Sequence, residues 1–89
     1  MANFAEEVIK EFKSIVKRDT PTKEVKYRIR VVRRKLDGIF QPLLDIREYL
    51  ITEKRFGFTE SGIYLNMEEL EHVEKCIKEA KKYFYLQGE

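Results

Sequence analysis

Leu43-Leu44-Asp45-Ile46-Arg47-Glu48-Tyr49-Leu50 is the stretch whose reading decides the fold of this chain. With the two-residue period of a strand, Leu44, Ile46 and Leu50 fall on one side and Asp45, Arg47 and Tyr49 on the other, leaving Glu48 as the single polar residue on the apolar side. A sheet built around this strand has a dry face and a polar, aromatic face. The function of the chain turns on what the second face holds.

Upstream, the same period runs through Val25, Tyr27, Ile29 and Val31, with Lys26, Arg28, Arg30 and, two steps on, Arg34 on the opposite side. Leu36-Asp37-Gly38-Ile39 between the two stretches is a turn signal, because Asp-Gly suits the positive φ of a tight hairpin and Gly38 supplies it. Pro42 cannot donate to a ladder, so a bulge or irregular start is expected before pairing resumes at Leu43. Downstream, Thr52-Glu53-Lys54-Arg55 is a polar connection. It is followed by Phe56 to Thr59 and Ser61 to Leu65, read as one interrupted strand or two short ones with Ile63 and Leu65 inward and Tyr64 outward.

Both ends read as helices. Asn3 and Glu6 have capping-box spacing, and Phe4, Val8, Ile9, Phe12, Ile15 and Val16 recur at steps of three and four, which predicts a helix over about 4–18 ended by Pro21. Asn66 and Glu69 repeat the capping-box spacing before a helix expected to run to about Leu86. Its stripe of Leu70, Val73, Ile77, Ala80 and Phe84 suits packing on a sheet or another helix. The expected class is therefore α+β: a curved antiparallel sheet of three to four strands, a long C-terminal helix and an extra N-terminal helix. Residues 1–21 form the helical extension and 22–89 the domain proper.

At 89 residues the chain is one domain with a modest core, burying about 60–65% of its unfolded surface, which favours association. No apolar run approaches a membrane span, and the first residues lack a signal-peptide pattern, so no membrane partner and an intracellular location are expected. The lone Cys76 precludes an internal disulfide. The net charge of +2 conceals a local concentration: residues 23–35 carry seven cations against Glu24 alone. Such a strip is the footprint of a polyanion partner, with a solvated, aggregation-guarding edge strand as the alternative.

Two segments resemble a known family. Asp45-Ile46-Arg47-Glu48-Tyr49 and Gly62-Ile63-Tyr64-Leu65-Asn66-Met67-Glu68-Glu69 are similar, in sequence and spacing, to the Asp-Ile-Arg-Glu-Tyr-Trp and Gly-Ile-Ser-Leu-Asn-x-Glu-x segments of the transcriptional positive cofactor four family. The resemblance covers roughly residues 24 to 84. It implies an antiparallel sheet with a C-terminal helix, a homodimer made through the helices (here Leu70, Val73, Ile77, Ala80 and Phe84), and a groove for single-stranded or unpaired DNA serving transcription, replication or repair. By matching, Arg47 and Arg34 carry over as backbone contacts. The family's Trp after the Tyr is Leu50 here, its Phe before the turn is Leu36, and its basic residues before Gly-Ile-Ser-Leu are replaced by Phe58-Thr59-Glu60-Ser61. Stacking then falls to Tyr49, Phe58 or Tyr64, and positive charge to Lys26, Arg28, Arg30, Lys54 and Arg55.

Single strands are held by cations for the phosphates and aromatic platforms for the bases, and the sequence holds both. Arg47 has a structural alternative as an ion pair with Asp45 or Glu48, and Phe56 and Phe58 have one as core residues. Catalysis is not expected: His72 and Cys76, four apart, are too few for a zinc site and lack an orienting third group, and Asp45 and Glu48 point to opposite faces. No metal or cofactor is expected. The rival reading is a dimeric protein-interaction module of the same fold with weakened nucleic-acid binding, recruiting a protein through its N-terminal helix. Binding of RNA or melted duplex is a variant of the first reading.

Overall fold

A computed structural model describes residues 6–86. Five antiparallel strands form one sheet: β1 (Glu6–Glu11), β2 (Ile15–Thr20), β3 (Lys23–Leu36), β4 (Ile39–Thr52) and β5 (Phe56–Leu65), followed by α1 (Met67–Leu86). β3 and β4 are 14-residue strands in continuous register from Lys23↔Thr52 to Leu36↔Ile39, and they are the spine of the molecule. They close through a two-residue turn in which both Asp37 (φ 51°) and Gly38 (φ 82°) are left-handed, the geometry whose twist matches that of the flanking strands. β5 pairs the free side of β4, while β1 and β2 in succession pair the free side of β3.

The helix expected over 4–18 is not formed: residues 6–11 and 15–20 are strands. Asn3, Phe4 and the proposed cap lie outside the described residues, as do residues 87–89. Two bulges explain the misreading. The register of β1 shifts between Val8 and Lys10, and that of β2 between Val16 and Arg18. Each extra residue flips the alternation, so the apolar residues fall at steps of three and four although the backbone is extended. β-branched Val8, Ile9, Ile15, Val16 and Thr20 suit that backbone, and the otherwise open edge of β3 supplies the partner. Among the described residues the sheet therefore has five strands rather than three or four, and no N-terminal helix stands there to recruit a protein.

Pro42 does not produce the expected bulge; it stands in the ladder opposite Arg33. β5 ends at Leu65 opposite Leu44, so β4 has no neighbour on that side at Pro42. A position pointing its nitrogen outward there loses no hydrogen bond. The last strand is a single one, interrupted by a register shift opposite Arg47 to Tyr49.

The helix begins as the sequence indicates: Asn66 Oδ1 accepts from the Glu69 amide at 2.9 Å, and the Asn66 amide donates to Glu69 Oε1 at 3.0 Å. Only Leu70 and Val73 of its apolar stripe are half-buried, Leu70 near Val31, Leu44 and Leu65 on the apolar face of the sheet and Val73 near Leu65. Beyond them Ile77, Ala80 and Phe84 are exposed, Phe84 by 63%. The radius of gyration is 16.0 Å, against about 12 Å for a compact domain of this length.

Candidate nucleic-acid interface

Cross-strand register collects eight of the ten sequence-nominated side chains on one face. Lys26 is opposite Tyr49, Arg28 opposite Arg47 and Arg30 opposite Asp45, while Tyr49 meets Phe58 and Asp45 meets Tyr64 on the other flank. Arg34 continues the row. The result alternates cation and ring. Arg28 lies 4.8 Å from the centroids of both Tyr49 and Phe58, Arg30 4.8 Å from Phe58, and Lys26 5.7 Å from Tyr49. At the other end Arg34 and Arg47 lie 4.6 and 4.8 Å from the Tyr64 ring. Tyr49 and Phe58 meet edge to face at 5.0 Å. Phe58, 42% exposed, and Phe56, 75% exposed, are thus surface rings rather than core.

Lys54 and Arg55 do not join this row. They occupy the turn from β4 to β5, where Thr52 Oγ1 accepts from both their amides at 3.3 and 3.2 Å. Both are exposed, and among the described residues neither forms an ion pair or stacks on a ring. Arg55 and Phe58 share an open hollow of about 290 Å³ at that end of the sheet.

Carboxylates of two kinds hold the arginines. Asp45 is fully buried and accepts from Arg30 Nε at 3.1 Å and Nη2 at 2.5 Å, and from Arg47 Nε at 3.2 Å. It sits beside buried Val32 and Leu43 on this same face, so part of the small core lies beneath the cations. The ion-pair alternative for Arg47 is therefore realised through Asp45, not Glu48, which lies on the opposite face and accepts from Thr59 Oγ1 at 2.9 Å. Gly62 makes room for Arg47: a Cβ there would stand 2.6 Å from its Cζ and 2.9 Å from the Ile46 carbonyl oxygen.

The second kind comes from β1 and was not anticipated. Arg28 donates to Glu11 through Nε at 2.6 Å and Nη2 at 2.7 Å, a two-pronged pair. Glu6 lies 3.7 Å from Arg30 and 4.0 Å from Arg34, and accepts from the Tyr64 hydroxyl at 3.1 Å. The hydrogen bond from Arg28 holds the Glu11 carboxyl below its ordinary range, while burial and then Glu6 push the Tyr64 phenol above its own. Their place on this face could be found only by reading the N-terminus as a bulged strand.

Leu50 lies on the opposite face, between Val25 and Gly57. Its aliphatic character takes no ring from the cationic row. Phe40, also missed, lies near Arg33 (5.2 Å) and Lys35 (5.8 Å) at the hairpin tip on that opposite side.

On the helix, His72 Nε2 and Cys76 Sγ are 3.7 Å apart and exposed. Among the described residues no three of His, Cys, Asp and Glu gather as a ligand set, and no helix is long and apolar enough to cross a membrane. No family model, curated protein or solved structure matches the chain.

Proposed function

We propose that the protein binds single-stranded or unpaired DNA as a homodimer, through the row of cations and rings on one face of its sheet. The observation that carries this reading is the alternation itself: Lys26, Arg28, Arg34 and Arg47 interleaved with Tyr49, Phe58 and Tyr64 offers charge for phosphates and π-faces for bases. A guarded edge strand needs charge but not rings between the cations. The resemblance of Asp45 to Tyr49 and Gly62 to Glu69 to the coactivator family supports the same conclusion, and with it a role in transcription, replication or repair.

The dimer rests on surface bookkeeping. The chain exposes 7373 Å², whereas a compact monomer of 10.7 kDa exposes about 5,500 Å². The difference, about 1,900 Å², is carried partly by the outer half of α1 and by the open apolar face where Ile63 is half exposed. Stable dimers bury areas of this order. A second copy laid along Ile77, Ala80 and Phe84 would extend the core that one chain alone leaves at Leu65 on the apolar face, the side away from Val32 and Leu43.

Binding of an oligonucleotide of about 20 bases, single- against double-stranded and DNA against RNA, tests the proposal. The interaction-module reading draws on Arg28, Arg30 and Arg47 already holding carboxylates of their own chain. It expects a dimer with negligible affinity for either nucleic acid.

A further inference from the structure

We infer that β1 is an acidic strap, with Glu11 and Glu6 holding the arginines of β3 in place of phosphates until a nucleic-acid strand displaces them. The inference rests on the binding face proposed above and adds a competitor built into the same chain.

The two sets of carboxylates on this face differ in what surrounds them. Asp45 has no exposed surface and is committed to the fold. The side chains of Glu11 and Glu6 are 34% and 30% exposed, and they reach the arginines from the outer edge of the sheet. Glu11 presents two oxygens to Nε and Nη2 of Arg28, the same fork a phosphate uses. A phosphate can therefore take its place without moving the guanidinium, which stays between Tyr49 and Phe58. Glu6 does the same more loosely for Arg30 and Arg34. Every arginine that β3 places on this face is thus touched by a β1 carboxylate. Apart from Glu6 the residues of β1 are exposed, and its ladder is already broken by the bulge after Val8. Little packing holds the strap down.

Glu7 supplies an internal control. It belongs to the same strand and carries the same charge, but its partner, Arg33 at 3.6 Å, lies in register with it and points away from the cation–ring row. Glu7→Gln changes the net charge as Glu11→Gln does without releasing an arginine of the row.

The experiment titrates an oligothymidylate of about 20 bases into the full chain and into Glu11→Gln, Glu6→Gln, the double variant and Glu7→Gln, at several salt concentrations. Thermal melts confirm that each variant is folded. Each released arginine adds one phosphate contact, steepening log K against log salt by about 0.7 and tightening binding about fivefold near 0.1 M salt. Glu11→Gln is expected to show this, the double variant about twice the change in slope, and Glu7→Gln no change in slope. Equal effects from Glu7→Gln and Glu11→Gln would overturn the strap as mere net charge. A parent that binds while Glu11→Gln binds no tighter would overturn the strap and leave the binding face standing. Failure of parent and variants alike to bind would overturn both.

Discussion

Asp45→Asn tests how the proposed binding face is held together. Asp45 has no exposed surface, and the Arg30 side chain opposite it is 9% exposed. The carboxylate accepts three hydrogen bonds from two guanidiniums: Arg30 Nε and Nη2 at one oxygen, Arg47 Nε at the other. Asparagine keeps the shape but removes the charge, and turns an amide NH₂ toward groups that can only donate. Breaking one side of a buried pair leaves an uncompensated charge, at a cost of about 3–5 kcal/mol. Glu6, 3.7 Å from Arg30 and partly exposed, offsets only a small part of this. At about 4 °C or more per kcal/mol for a domain of this size, the melting temperature should fall by about 12 °C or more. Melts must be run at one protein concentration, because a dimer's midpoint depends on it. Glu11→Gln, which breaks the exposed Arg28 pair, is the comparison and should cost about 0–1 kcal/mol. Combining Asp45→Asn with Arg30→Met should cost less than the two single changes added, because the orphaned charge is gone. A loss below about 1 kcal/mol for Asp45→Asn, or one equal to that of Glu11→Gln, would refute the buried clamp.

Further outcomes follow from the same geometry. Tyr49→Ala and Phe58→Ala should each weaken single-strand binding by about 1–3 kcal/mol, read by fluorescence anisotropy, while Phe56→Ala leaves it nearly unchanged. Ile77→Asp with Phe84→Asp should convert a species of twice 10.7 kDa into one of 10.7 kDa by light scattering; an unchanged mass would remove α1 from the interface. Glu11, held below its ordinary 4.5, contributes stability that is present above that pH and lost as pH falls through its folded value, so Glu11→Gln should flatten the acid limb of the melting profile. Tyr64, raised above 10.0 mainly by burial, contributes stability fully present below that pH and lost as pH rises through its folded value, so Tyr64→Phe should flatten the alkaline limb.

The central hairpin and the last helix were legible because their signals are local. Asp37-Gly38 fixes a two-residue turn, the turn fixes the register, and the register places Lys26, Arg28 and Arg30 beside Tyr49, Arg47 and Asp45. Asn66 and Glu69 likewise announce the start of α1 within one turn. The N-terminus was misread because its signal is not local. Bulges at Ile9 and Lys17 give a strand the spacing of a helix, and what settles the matter is the unpaired edge of β3, which no window over residues 6–20 contains. With that misreading went Glu6 and Glu11, the acids that temper the cationic row. Arg30 was counted as a free cation for a related reason: alternation tells which face a side chain is on, not how deeply Asp45 beneath it is buried.

The most direct test of the account is a titration of single-stranded and double-stranded oligonucleotides of about 20 bases at roughly 50 and 200 mM salt. With about four phosphates neutralised per subunit, log K should fall with log salt at a slope near −3. Single-strand affinity should therefore drop roughly fifty-fold across that range, with the duplex bound more weakly at both. Salt-independent binding, or no single-strand binding at the lower salt, would contradict it.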